Sequence, residues 1–185
     1  MARVLLDGQT PHGVILAPGY PSQFSLEVMA LVVGAQEPGR FGPFFMIRKA
    51  DGAVVGEIGC SVDDTSATGQ LGYSVVEPSW GHGYATEALR ALLSHVLAEP
   101  GIRRVVAETM VEHTASRRVM EKAGMRLRGR RVGIEDGESV DLVVYEAVAG
   151  TTDLDTADGD DSLPGGGHGC DTARRGPLPR HDHFR

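Results

Sequence analysis

Gly81-His82-Gly83, followed by Tyr84-Ala85-Thr86, is the stretch of this sequence best suited to holding an anion. The glycines permit positive φ or the close approach of a ligand. The helix predicted to begin here opens with a turn of N–H groups that have no internal partners. Such a terminus, at the positive end of the helix dipole, accepts phosphate. The loop matches neither Gly-x-x-x-x-Gly-Lys-Ser/Thr nor Gly-x-Gly-x-x-Gly, because Thr86 stands where a third glycine would be, so ATP and dinucleotide readings lose ground. A strand–turn–helix junction with nothing bound is the competing reading.

The elements that must position these groups follow from pattern and breakers. Val4-Leu5-Leu6 and Val14-Ile15-Leu16 are apolar runs around a turn-rich DGQTPHG. Either reads as a strand, and the second is taken as the first strand of the sheet. Residues 22–34 predict a helix, with Phe24, Val28, Leu31 and Val32 on one apolar face. EPGRFGP (37–43) reads as a loop. Phe44–Lys49 and Ala53–Val62 flank Asp51-Gly52, a hairpin signal. Residues 63–69 connect to a strand over Gln70–Val76, which Pro78 ends by offering no N–H. A long helix over Thr86–Leu97 and a strand over Arg104–Val111 follow. The helix predicted over Thr114–Ala123 closes at Gly124, and strands over Met125–Val132 and Val140–Val148 flank a turn at Glu135-Asp136-Gly137. The predicted order is β-α-β-β-β-α-β-α-β-β.

Composition narrows the function. The 185 residues suffice for one domain with a full core, and the net charge of −7 argues against non-specific nucleic-acid binding. No apolar run is long enough to span a membrane, and the N-terminus lacks the layout of a signal peptide. Cys60 and Cys170 suggest no disulfide framework and fit a reducing cytoplasm. Residues 150–185 hold seven aspartates, four arginines and a GGG run. That segment reads as a disordered tail to a domain over 1–149. Its DDSLPGGGHGCD and HDH lack zinc-site spacing, so no metal is expected.

Two stretches carry a family resemblance. Gly72-Tyr73-x-Val75, with Trp80-Gly81-x-Gly83-Tyr84-Ala85-Thr86-Glu87-Ala88-Leu89, resembles the acetyl-CoA loop of the GNAT superfamily of N-acetyltransferases. The second match is His113-Thr-Ala-Ser116-Arg117-Arg-Val-Met-Glu-Lys-Ala-Gly124. The likeness is nearest to the branch that acetylates α-amino groups of ribosomal proteins, together with its small-molecule relatives. It implies one α/β (α+β) domain, with helices on both faces of a mixed, mostly antiparallel sheet that splays between Gln70–Val76 and Arg104–Val111. Acetyl-CoA would be the cosubstrate and a primary amine, on a protein N-terminus or a small molecule, the acceptor. Main-chain groups of Val75 and Val76 would pair with pantetheine, with the Val76 N–H as oxyanion donor. Gly81, His82, Gly83, Tyr84, Ala85 and Thr86 would cradle the pyrophosphate. His113, Ser116 and Arg117 would line the site.

Departures from the family pattern leave roles open. Trp80 suits a packing tryptophan as well as a cofactor contact, and His82 a backbone donor or an exposed ring. His113 replaces the usual Asn as cap, contact or base. Met120 stands where many members carry an acidic tyrosine; the branch resembled here would use Ser116 as the acid, and a helix-surface hydroxyl that packs near the cofactor is the other reading. Gln70 replaces a frequent Glu. Glu57, Glu108 and Glu112 lie near the predicted cleft, as bases or as solvated or ion-paired groups, and a water chain is the alternative base. A non-catalytic acyl-CoA-binding module is the rival function, and exposed sheet edges leave room for a homodimer.

Overall fold

The computed structural model describes residues 1–34, 39–135 and 138–150. β-Branched and aromatic runs become strands here, and the polar, alanine-rich stretches between them become helices. The order is α1 (Ala2–Leu6), β1 (Ile15–Leu16), α2 (Gln23–Gly34), β2 (Phe41–Ile47), β3 (Ala53–Asp63) and β4 (Thr68–Val75). There follow a 3-10 turn (Glu77–Ser79), α3 (Tyr84–Leu97), β5 (Arg104–Met110), α4 (Thr114–Lys122), β6 (Arg126–Glu135) and β7 (Glu138–Val148). The strands form one seven-stranded sheet ordered β1-β3-β4-β5-β7-β6, with β2 also paired to β3. Pairing is antiparallel except for β1 with β3 and β4 with β5. This is the mixed, mostly antiparallel sheet expected.

Helices cover both faces of the sheet. Ser25 of α2 donates to Glu57 of β3. At Gly69, by contrast, the nearest side chains are Cys60, Val105 and, from α3, Val96. Glu57 and Cys60 are an odd number of residues apart and point to opposite faces, so α2 and α3 lie on opposite sides. Tyr73 pairs with Ile58 and shares the α3 face, where its hydroxyl meets Ser116 of α4. Ser74 pairs with Glu57 and faces α2.

Three expectations are corrected. Val4-Leu5-Leu6 lies in α1, not a strand, and turns Leu5 into the core. A three-residue apolar run has no period by which to tell the two apart. Phe41–Pro43 belongs to β2 rather than a loop, because β2 shifts register between Phe41 and Phe44, and a strand accommodates proline at such an irregularity. Among the described side chains of α2, Phe24 is buried as expected, but Ser25 and Met29 are the fully buried ones and Val28 is half-buried. The Leu31 and Val32 side chains, the turn residues Asp136 and Gly137, and the tail over 151–185 lie outside the described residues.

Gly56 joins the fold to the site. A Cβ there would stand 2.1 Å from the Ser74 carbonyl oxygen and 3.0 Å from the Val75 Cα. Neither backbone atom can give way as a side chain would. Gly56→Ala should therefore cost about 2 kcal/mol or more, read as a fall on the order of 4–8 °C in thermal melting. Gly59→Ala is the control, because its Cβ would meet nothing closer than 3.4 Å and should leave the melt nearly unchanged.

Candidate functional site

Strands β4 and β5 pair only from Thr68↔Arg104 to Gln70↔Val106. Beyond that point β4 stays with β3 as far as Val75, and β5 stays with β7 as far as Met110. The opening between them is lined by Leu71, Gly72, Tyr73, Glu108, His113 and Met120, among others. Unpaired strand edges of this kind bond to an extended ligand as to another strand.

The ladder decides which N–H groups face the opening. The Val76 N–H donates to the Val55 carbonyl at 2.9 Å, extending the unshifted β3–β4 register. Antiparallel residues alternate in direction, so the amides of Val75 and Tyr73 point away from β3, toward the opening. The Val76 N–H, expected as oxyanion donor, is thus held within the sheet, and the amide that faces the opening is that of Val75. Its carbonyl accepts the Trp80 indole N–H at 2.5 Å, which fixes Trp80 at the base of the loop.

A cavity of about 610 Å³ continues from the opening along the loop and the first turn of α3. Gly81 and Gly83 hold φ at +77° and +84°. A Cβ at either would meet nothing within 4 Å, so glycine is favoured here by dihedral preference and not by space. Gly83 is the N-cap of α3 and has no side chain to bond the first turn, which leaves that turn's amides to a ligand. Trp80, Gly81, Gly83, Tyr84, Ala85 and Thr86 line the cavity, as do Arg118 and Lys122 of α4. Ser79 lines it too, and its buried Oγ has no hydrogen-bond partner. An orphaned hydroxyl, a bare helix N-terminus and two cations suit a phosphorylated ligand.

Two side chains point away from the cavity wall. The His82 ring is absent from the cavity wall: its Nδ1 lies 2.8 Å from the Trp80 carbonyl and it stacks on Tyr84. Arg117 donates to the Val111 carbonyl and to the Tyr145 hydroxyl, and its neighbour Arg118 takes the wall position. His113 is the N-cap residue of α4 but makes no side-chain cap bond. Its Nδ1 lies 2.9 Å from Thr109 Oγ1, and burial holds its pKa below the ordinary value against the opposing charge of Glu112.

Ser116 meets Tyr73, a residue without an expected role. The Tyr73 hydroxyl lies 2.9 Å from Ser116 Oγ and 3.2 Å from the Ser116 carbonyl. Burial pushes the Tyr73 phenol up to about 12, so it stays protonated. Either hydroxyl of the Tyr73–Ser116 pair can donate to the other, and the phenol also donates to the Ser116 carbonyl. Strand alternation was the available signal, because Tyr73 stands two residues before Val75. Met120 is buried in the core and holds no proton to give.

The nearby carboxylates differ by their partners. Glu108 is held by Arg131 through both carboxylate oxygens. Glu112 lines the cavity. Glu57 is 2% exposed and takes hydrogen bonds from Ser25 and Ser74, both onto Oε1.

A family model described as an acetyltransferase (GNAT) domain matches residues 20–126. The uncharacterized N-acetyltransferase YoaA of Bacillus subtilis is 27% identical over 81 residues, 43% of this chain and 46% of that protein. The FsC-acetyl coenzyme A-N(2)-transacetylase of Aspergillus fumigatus is 38% identical over 56 residues, 30% of this chain and 24% of its own. The chain therefore spans less than half the length of these two curated relatives. A GNAT-family acetyltransferase from Bacillus anthracis superposes with a TM-score of 0.57 at 27% identity, over 68% of this chain and 73% of that one. The ribosomal-protein-S5-alanine acetyltransferase of Vibrio fischeri shares the fold, with a TM-score of 0.51 at 17% identity over 56% and 59% of the two chains. The family match runs from Tyr20 to Arg126, through both parted strands, the glycine turn and the Tyr73–Ser116 contact, and the chain belongs to the GNAT acetyltransferase family.

Proposed function

We propose that this chain is an N-acetyltransferase that moves the acetyl group of acetyl-CoA to a primary amine by direct attack in a ternary complex. The observation that carries this reading is the free edge of β4 running into the bare N-terminus of α3. One continuous wall thus offers strand-like amides for pantetheine and helix amides for pyrophosphate. Acetyl-CoA supplies the activated acetyl thioester.

The protein's own part is binding, orientation and proton handling. The first-turn amides of α3, with Arg118 and Lys122, hold the phosphates, and Ser79 Oγ donates along the cavity wall. The Val75 N–H faces the thioester carbonyl and stabilises the charge that develops on its oxygen. Ser116, backed by Tyr73, gives a proton to the departing thiolate. His113 stays neutral at neutral pH and packs at the wall between the opening and the cradle. The acceptor is a protein N-terminus or a small amine or amino acid. A reducing cytoplasm suits Cys60, a buried free thiol pushed up to about 12 by burial. The outer strand β6 carries exposed Val132 and Ile134, and a homodimer would cover them.

Calorimetric titration of acetyl-CoA into the protein tests the cradle. Micromolar affinity is expected for the unmodified chain, and a loss of on the order of 100-fold or more for Gly83→Asp, which sets a carboxylate at the helix terminus. No binding by the unmodified chain would end the acetyltransferase reading. Ser116→Ala should leave acetyl-CoA affinity within about threefold and lower turnover about 10²-fold, measured as CoA release with an amine panel. Unchanged turnover would remove Ser116 as the acid.

A further inference from the structure

Glu57 lies on the face opposite the cradle, packed between α2 and the β3–β4 pair. Both serine donors reach Oε1, Ser25 at 3.0 Å and Ser74 at 2.8 Å, while buried Oε2 has no hydrogen-bond partner. The buried Tyr20 hydroxyl beside it has none either. A carboxylate kept from water with no cation and a bare oxygen is costly as architecture. The chain of hydroxyls continues outward, because Ser25 Oγ lies 2.8 Å from Ser22 Oγ and Ser22 is half-buried at the start of α2. At its inner end, Ser74 stands between Tyr73 and Val75, the residues whose amides face the opening.

On the acetyltransferase reading the cosubstrate lies along α3 and α4, and Ser74 and Glu57 are buried on the other face of β4, the side left to the amine. We propose that Glu57 is the proton acceptor of the reaction, connected to the amine through Ser74 and to solvent through Ser25 and Ser22. This rests on the acetyltransferase reading above. As the C–N bond forms, the amine proton passes to Ser74 Oγ and the Ser74 proton passes to Glu57. The C–S bond breaks and its thiolate takes a proton from Ser116. The proton on Glu57 leaves through Ser25 and Ser22, and solvent reprotonates Ser116, so the net products are the amide and free CoA thiol.

The surroundings give the pH dependence its sign. Tyr20, on the segment before α2, is the titratable group that bears on Glu57 among the described residues, and Phe45 of β2 stands opposite it in register. Burial raises the Glu57 pKa, and the hydrogen bonds from Ser74 and Ser25, with the Tyr20 hydroxyl nearby, oppose that rise. The base form therefore appears at higher pH than an ordinary carboxylate would allow. Activity should rise with pH through that displaced value. Stability runs the other way: the contribution of protonated Glu57 is full below the unfolded pKa and is lost as pH rises through the folded one.

The test is Glu57→Gln, which keeps an oxygen for both serines but takes no proton. Its acetyl-CoA affinity by calorimetry should match the unmodified chain. Its kcat/KM, with peptides bearing N-terminal Ala or Ser and with spermidine and tyramine, should fall about 10²-fold and lose the acid limb of the pH profile. Ser74→Ala should lower kcat/KM in the same way. Unmodified rates and an intact acid limb in Glu57→Gln would overturn the proposal. If acetyl-CoA binds but no amine on the panel is turned over, the acetyltransferase reading fails first. The Glu57 carboxyl 13C resonance then decides the circuit on its own. A titration midpoint that moves on acetyl-CoA binding, and moves less in Ser74→Ala, supports it; a midpoint indifferent to both overturns it.

Discussion

The site depends on β4 and β5 pairing from Thr68 to Gln70 and then parting. Neither strand is left unsupported by this. β3 holds β4 over its whole length, and β7 holds β5 from Arg104 to Met110. Each strand therefore has one satisfied edge and one edge that meets its counterpart only in part. Backbone polar groups seek partners wherever water is excluded, so the opening is suited to an extended amide-bearing chain. The core beneath the sheet includes Leu71 and Val105 of these strands with Leu89 and Val96 of α3.

The cradle inherits its position from the same strand. β4 runs through Val75 into a 3-10 turn and then into α3, so the amides of strand and helix share one wall. Trp80 fastens this junction by bonding the Val75 carbonyl. The helix end is rigid because its far side is buried through Leu89, Leu92, Leu93 and Val96. An anion site built from backbone needs that rigidity more than it needs charge, since each amide is a weak donor alone and several aligned ones act together. Arg118 and Lys122 add positive charge from α4, and Arg90 holds α3 to α4 through the Lys122 carbonyl.

Most of this was legible from residue order, and the reasons for the rest are physical. Long periodic segments and strong breakers placed α3, β5, α4 and the β2–β3 hairpin. Glycine spacing and helix-start logic placed the glycine turn at the start of α3. What failed were features set by a third dimension. Whether Val75 or Val76 faces the opening depends on the parity of the β3–β4 ladder, which the Val76 bond to Val55 reveals and residue order does not. Arg117 and Arg118 differ by one helical step, and tertiary packing on Tyr145 decides which lines the cavity. Ser25 broke the expected apolar stripe of α2 because its partner, Glu57, comes 32 residues later.

The alternation that misled one assignment also organises the chemistry proposed here. Tyr73 and Ser74 are consecutive, so their side chains leave β4 on opposite faces. Tyr73 meets Ser116 on the face of α4, and Ser74 meets Glu57 on the face of α2. The leaving thiolate and the attacking amine need opposite proton traffic, one receiving and the other giving, and a single shared group would have to do both within one turnover. A strand between them keeps the two exchanges apart at no cost in distance, because the Val75 amide sits at the boundary. The same logic accounts for the unequal treatment of the carboxylates. Glu108 is paired with Arg131, whereas Glu57 has hydroxyl partners alone and burial raises its pKa. An ion-paired carboxylate is a poor proton acceptor because its charged form is already stabilised. A carboxylate deprived of a cation, with one oxygen still bare, retains the basicity that the amine requires.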